Sequence, residues 1–152
     1  MTELARCESG QSCVLFDLDG TLIDHDSTSG FLRQRLCGHP FRLLAACLVL
    51  PLLGPLMVAG LFKTGVASTL MWIATVGLDR AGLDAAVRDY LAGARHKAGS
   101  YPRACAELRR WQRRGVAAIV VTASAQILAE PLCEDLGLDV QVIGSTLTRR
   151  AG

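Results

Sequence analysis

Residues 12–26 read SCVLFDLDGTLIDHD, an apolar run that stops at two carboxylates, Asp17 and Asp19. A short apolar run closed by a Gly-Thr pair favours a buried strand that leads into a turn. Acids are costly to bury, so two of them at the end of a core strand need a reason. An Asx turn is the ordinary explanation. The pair followed at once by Gly20 and Thr21 indicates instead a binding or catalytic loop.

Two further apolar runs follow the same pattern. GVAAIVVTAS spans residues 115–124 and DVQVIGS spans residues 139–145, with helical patterns at 102–114 and 124–136. Continuous apolar strands suit a parallel sheet that is covered on both faces, and their alternation with helices requires right-handed crossovers. The sequence therefore predicts an α/β fold with strands near 13–17, 116–122 and 139–144.

The region between the first strand and this second half has a different character. Residues 43–62 contain no charged side chain and are bracketed by Arg42 and Lys63, and an amphipathic helix is expected near 79–95. We predict a core domain that is interrupted by a helical insertion. The core would comprise residues 12–24 and 100–150, and the insertion residues 25–99.

Charge and cysteine content exclude several classes of protein. A net charge of +2 is too small to indicate a nucleic-acid partner, and 51% hydrophobic residues exclude a disordered chain. The six cysteines are scattered without a CxxC pair, which favours reduced thiols in a cytosolic protein. The first ten residues hold three charges and no apolar segment, so we expect no signal peptide and a cytoplasmic location.

The acids after the first strand have the chemistry for phosphoryl transfer. In an open α/β sheet, ligands bind outside the carboxyl ends of the strands, where Asp17 and Thr122 are both expected. A carboxylate such as Asp17 can attack phosphorus, and a second one such as Asp19 can protonate the leaving oxygen and activate water. Acids beside a phosphate require a hard cation such as Mg²⁺.

At these residues the sequence resembles a known family. FDLDGTL is similar to the first motif of the haloacid dehalogenase superfamily of phosphatases, and IVVTAS is similar to the second. DHDSTSGFLRQRL and STLMWIATVG resemble subfamily IB, including the phosphatidylglycerophosphatase C type. The resemblance covers about residues 13–150. It implies a Rossmann-like core with an α-helical cap inserted after the first strand.

The resemblance also implies roles for individual residues. Asp17 would be the nucleophile and a Mg²⁺ ligand through its side chain, and Asp19 the acid/base and a ligand through its carbonyl. The substrate would be a phosphomonoester, in our first hypothesis a lipid phosphate such as phosphatidylglycerophosphate. The residues expected around the phosphate are Gly20, Thr21, Thr122, Ala123 and Ser124.

The sequence departs from the family towards its end. The family uses a lysine and a further acid on later strands, yet no lysine follows Lys97. Asp139 is expected at the start of a strand, and Glu134 and Asp135 on a helix. We therefore expect these 152 residues to lack part of the site, to bind Mg²⁺ weakly and to have negligible activity alone.

The uncharged stretch 43–62 has two interpretations. At about 1.5 Å per residue it matches a bilayer core of about 30 Å, but a single crossing would separate Asp17 from Thr122. Pro51, Gly54 and Pro55 are expected to break a straight helix. One interpretation is a hairpin that dips into the inner face of the cell membrane, and the other is a buried cap helix.

Two alternatives to a lipid phosphatase remain open. One is a soluble phosphatase of the phosphoserine phosphatase type, acting on a small metabolite. The other is a truncated, non-catalytic chain that binds a membrane or a partner. Binding to liposomes separates the first alternative from a lipid phosphatase. A phosphatase assay on chains with and without a natural C-terminal continuation separates the second.

Overall fold

The α/β fold predicted from the sequence is confirmed by a computed structural model, which describes residues 12–59, 63–93 and 99–146. In these ranges three strands and six helices follow one another along the chain. They are β1 (Cys13–Phe16), α1 (Ser27–Cys37), α2 (Pro40–Val58), α3 (Lys63–Thr75), α4 (Arg80–Ala92), α5 (Pro102–Arg113), β2 (Ala117–Ala125), α6 (Gln126–Asp135) and β3 (Gln141–Ser145).

The three described strands form one parallel sheet in the order β1-β2-β3. Cys13 pairs with Ala117 and Phe16 with Val120, so β1 and β2 run in register for four residues. Both later described strands lie on one side of β1. Because parallel strands end at the same edge of a sheet, the loop after β1 lies beside the carboxyl end of β2.

The end of β2 differs from the prediction. The strand continues to Ala125 instead of ending near Thr122, and α6 begins at Gln126 instead of Ser124. The pairing with β3 shifts register between Val121 and Ala125. This irregularity keeps the small polar residues of the strand end extended, where the sequence pattern alone indicated the start of a helix.

The strand end is closely packed against β3 at Gly144. A Cβ atom at this position would lie 2.8 Å from the Ser124 carbonyl oxygen and 2.9 Å from the backbone nitrogen of Gln126. Backbone atoms cannot move aside as a flexible side chain can. A glycine is therefore required where β3 passes the junction of β2 and α6.

The chain divides into two compact units, Met1–Thr28 with Leu91–Gly152 and Ser29–Tyr90. The first unit consists of two chain segments, and hydrogen bonds join the end of the first segment to the start of the second. The Asp24 amide donates to the Gly99 carbonyl at 2.6 Å, and the Tyr101 amide donates to the Leu22 carbonyl at 2.8 Å. The predicted boundaries near residues 24 and 100 lie close to these bonds, and the role of the insertion as a cap stays a prediction.

The core of the first unit forms under the loop that follows β1. Leu18 and Leu22 from this loop, Leu108 from α5 and Leu132 from α6 are completely buried. Burial raises the pKa of the Cys133 thiol in this core to about 12. The described cysteines are all free thiols: Cys13, Cys37, Cys47, Cys105 and Cys133.

In the second unit α2 and α3 form an antiparallel hairpin. The Arg42 guanidinium at the start of α2 donates to the carbonyls of Ala74 and Val76 at the end of α3. The expected break at the prolines is wrong, because α2 is continuous through Pro51 and Pro55. Both prolines lie on the exposed side of the helix, where a bend displaces no packed neighbour.

The length and hydrophobicity of the helices bear on the membrane question. In the described part of the chain no single helix is both long and apolar enough to span a bilayer. One bent pair, Ser27–Cys37 with Pro40–Pro55, meets the length and composition criteria together, with an angle of 119° between its two helices.

We expect Gly144→Ala to destabilise the protein by about 1–3 kcal/mol, because the new methyl group overlaps backbone atoms. Urea unfolding followed by circular dichroism measures this change. Gly54→Ala in α2 is the matched control, since a Cβ there meets no atom within 4 Å and alanine favours a helix. Equal midpoints for Gly144→Ala and the parent protein would contradict the packing described at this strand end.

Candidate active site

Asp17 follows β1 directly and presents its carboxylate to solvent. Its Oδ1 atom accepts a hydrogen bond from the Leu18 amide at 2.9 Å. The Leu18 side chain points the other way and is completely buried. Because successive side chains of an extended chain face opposite sides, burial of Leu18 fixes Asp17 on the accessible side.

The backbone after Asp17 forms a tight turn. The Leu18 carbonyl accepts hydrogen bonds from the amides of Leu22 and Ile23, at 2.9 and 3.1 Å. Gly20 has a φ of 78°, a conformation that glycine adopts without strain. The turn is therefore anchored by buried leucines on one side and offers Gly20 and Thr21 to solvent on the other.

The second acid, Asp19, is half-buried and accepts three hydrogen bonds. Its Oδ2 atom accepts from the Ser124 hydroxyl at 2.6 Å and from the Thr122 hydroxyl at 3.0 Å. Its Oδ1 atom accepts from the Ser27 amide at 2.7 Å. The structure thus brings Asp19 together with the hydroxyls of β2, which are more than 100 residues away in sequence.

A further layer of hydroxyl groups surrounds Ser124. Its Oγ atom lies 2.9 Å from Ser27 Oγ and 2.9 Å from Thr28 Oγ1. Its amide donates to Thr122 Oγ1 at 3.1 Å. Ser27, Thr122 and Ser124 are all buried, which removes water as a competing partner for these groups.

Sequence reasoning missed Ser27 and Thr28. Both lie at the start of α1, 97 and 96 residues before Ser124, and no motif links them to it. The signal that could have found them is the DST tripeptide, residues 26–28, directly after the acidic loop. Small hydroxyl residues at a helix start are commonly interpreted as helix caps. Here their hydroxyls bond Ser124 instead, which the cap interpretation does not predict.

The remaining predicted phosphate-binding residue, Ala123, lies between two buried neighbours and is itself exposed. Its carbonyl accepts a hydrogen bond from the Ser145 hydroxyl at 2.8 Å. The phosphate-binding roles of Gly20, Thr21, Thr122, Ala123 and Ser124 stay predictions. In this arrangement the hydroxyls of Thr122 and Ser124 are directed to Asp19.

The oxygen atoms available at the loop suit a hard cation. Within residues 12–59, 63–93 and 99–146 no group of three or more His, Cys, Asp or Glu side chains could hold a metal ion. Mg²⁺ is commonly bound by only one or two carboxylates and keeps several waters or substrate oxygens. The Asp17 carboxylate and the Asp19 carbonyl fit that pattern.

Comparison with known proteins agrees with this fold. Residues 14–152 match the model of a family described as haloacid dehalogenase-like hydrolase. The match includes both strands that form the site and the insertion between them. The chain belongs to the haloacid dehalogenase-like hydrolases.

A solved structure supports the fold. The chain is similar to a protein of unknown function from Bordetella pertussis Tohama I, with a TM-score of 0.71 and 21% sequence identity. The alignment covers 93% of this chain and 63% of that protein. The chain therefore spans less than two thirds of the length of this neighbour.

Proposed function

We propose that the protein is a Mg²⁺-dependent phosphomonoesterase that works through an aspartyl-phosphate. The observation that carries the proposal is the contrast between two acids in one loop. Asp17 is open to solvent, as a nucleophile must be, whereas Asp19 is held by three donors. Two carboxyl groups in different environments can take the different roles of nucleophile and acid/base.

In the first step an oxygen of Asp17 attacks phosphorus, and the ester bond to the alcohol breaks as the new bond forms. Protonated Asp19 gives its proton to the departing oxygen. In the second step Asp19 takes a proton from water while the water oxygen attacks phosphorus. The bond to Asp17 breaks, inorganic phosphate leaves, and both carboxyl groups return to their starting states.

Mg²⁺ would be held by the Asp17 side chain and the Asp19 carbonyl, and it would supply positive charge against the phosphate. Gly20 and Thr21 in the turn and Ala123 in β2, which are all exposed, would border the phosphate. Asp17 approaches the phosphorus from the accessible side of the turn.

We further propose a lipid phosphate as the substrate, in line with the resemblance to subfamily IB and the phosphatidylglycerophosphatase C type. The supporting observation is the surface of α2. Phe41, Leu48 and Leu52 have 85%, 66% and 72% of their surface exposed. Exposed apolar residues in such a series are typical of contact with protein or membrane. Arg33, also exposed, would favour anionic lipid.

This proposal places the protein in the cytoplasm, at the inner face of the membrane, with residues 43–62 as the contact. α2 would lie in the interface between headgroups and acyl chains and would not cross the bilayer. The two alternatives are a soluble phosphatase for a small metabolite and a non-catalytic chain, and the following experiments distinguish them from a lipid phosphatase.

In an active form of the protein we expect Asp17→Asn to abolish phosphatase activity, because an amide cannot form the acyl phosphate. Asp19→Asn should lower turnover by about 10²–10⁴-fold, the usual contribution of a general acid/base. Steady-state hydrolysis of p-nitrophenyl phosphate with Mg²⁺ measures both. Asp24→Asn, in the same segment but outside the proposed chemistry, is the control. Activity near the parent level in Asp17→Asn would end the proposal.

We expect the protein to sediment with anionic liposomes, and Leu48→Lys with Leu52→Lys to reduce binding at least tenfold. Leu15→Lys is a matched control, because Leu15 in β1 is 65% exposed but lies in the other unit. High salt should weaken binding, since screening removes the attraction of the arginines. Equal binding by both variants, or none by the parent protein, would favour a soluble phosphatase.

A further inference from the structure

We propose that Ser124, supported by Ser27 and Thr28, is a positioning residue that holds the Asp19 carboxyl for proton transfer. The inference rests on the proposed function, in which Asp19 is the general acid. It gives Ser124 a role other than phosphate binding. It also assigns Ser27 and Thr28 to the site.

The direction of each hydrogen bond follows from counting protons. An ionised Asp19 carboxylate only accepts, so the Ser124 hydroxyl, 2.6 Å away, must donate its one proton to it. Ser124 Oγ then has two lone pairs and no second proton. The hydroxyls of Ser27 and Thr28, each 2.9 Å away, must therefore both donate to Ser124. All four groups are satisfied in a single arrangement.

While Asp19 is ionised, the same count leaves the Ser124 hydroxyl without a proton to donate to a phosphate. Its hydroxyl proton goes to Asp19, and its amide donates to Thr122 Oγ1 at 3.1 Å. Ser124 is also buried, with 5% of its surface exposed. A phosphate oxygen would have to displace one of these bonds to reach it.

Three donors hold the Asp19 carboxyl from two directions. Ser124 and Thr122 bind Oδ2 from β2, and the Ser27 amide binds Oδ1 from the start of α1. A carboxyl held at both oxygens cannot rotate freely about its bond to Cβ. Thr28 has no contact with Asp19 among these bonds, so it acts only through Ser124.

The test compares kcat/KM for two phosphate esters that differ in their leaving groups. This ratio covers the steps up to transfer of the phosphoryl group to Asp17, and it excludes the later hydrolysis. An aryl phosphate has a leaving group that departs readily without a proton. An alkyl phosphate needs the proton from Asp19.

We expect Ser124→Ala and Thr28→Val to lower kcat/KM for the alkyl ester at least tenfold and for the aryl ester by less than about threefold. These values are a fraction of the 10²–10⁴-fold that a general acid contributes. Ser124→Thr keeps the hydroxyl and should restore the alkyl ester rate. Ser145→Ala, whose hydroxyl bonds the Ala123 carbonyl, should leave the ratio between the substrates unchanged.

Equal losses on both esters would overturn the positioning role, because a phosphate-binding or purely structural residue would affect both alike. Unchanged rates on both would overturn it as well. Thr28→Val keeps the test decisive if Ser124→Ala does not fold, since a methyl group replaces a half-buried hydroxyl. Failure of the proposed function is distinguished by Asp17→Asn in an active form of the protein: retained activity there refutes both proposals.

Discussion

The site depends on one carboxylate, that of Asp19, which accepts hydrogen bonds from a strand and from the start of a helix. These donors are in place only because β1 and β2 are adjacent and parallel. The buried leucines under the loop then fix which acid turns inward and which outward. The geometry of the site therefore depends on the packing of the core, because a change in strand register would move the hydroxyls away from Asp19.

The sequence was most informative where a local pattern has one physical meaning. The apolar run before Asp17 predicted a strand, and the second apolar run predicted its neighbour. The approach of the loop after β1 to Thr122 could therefore be foreseen, although the hydrogen bond from Thr122 goes to Asp19 and the prediction named Asp17. The longer extent of β2 could not, because a bulge against β3 and the close approach at Gly144 determine it. Ser27 and Thr28 also escaped prediction, since their role depends on a contact nearly 100 residues away.

The apolar region shows a different limit of sequence reasoning. Hydrophobicity predicted a helix in 43–62 but not which of its side chains are exposed. The structure answers that question for the described side chains of α2: Arg42 donates to carbonyls at the end of α3, Ala46 is buried, and Phe41, Leu48 and Leu52 are exposed. The apolar side chains that stay exposed on α2 can be replaced without disturbing the core, so the proposed contact with lipid can be tested by mutation.

The central claim is that Asp17 carries the phosphoryl group during turnover. The direct measurement is mass spectrometry of protein quenched in acid during hydrolysis of a phosphomonoester, with Asp19→Asn used to slow the second step. The account predicts a phosphoryl group on the peptide that contains Asp17, lost on treatment with hydroxylamine and absent from Asp17→Asn. A phosphoryl group on another residue, or turnover with none on the protein, would contradict it.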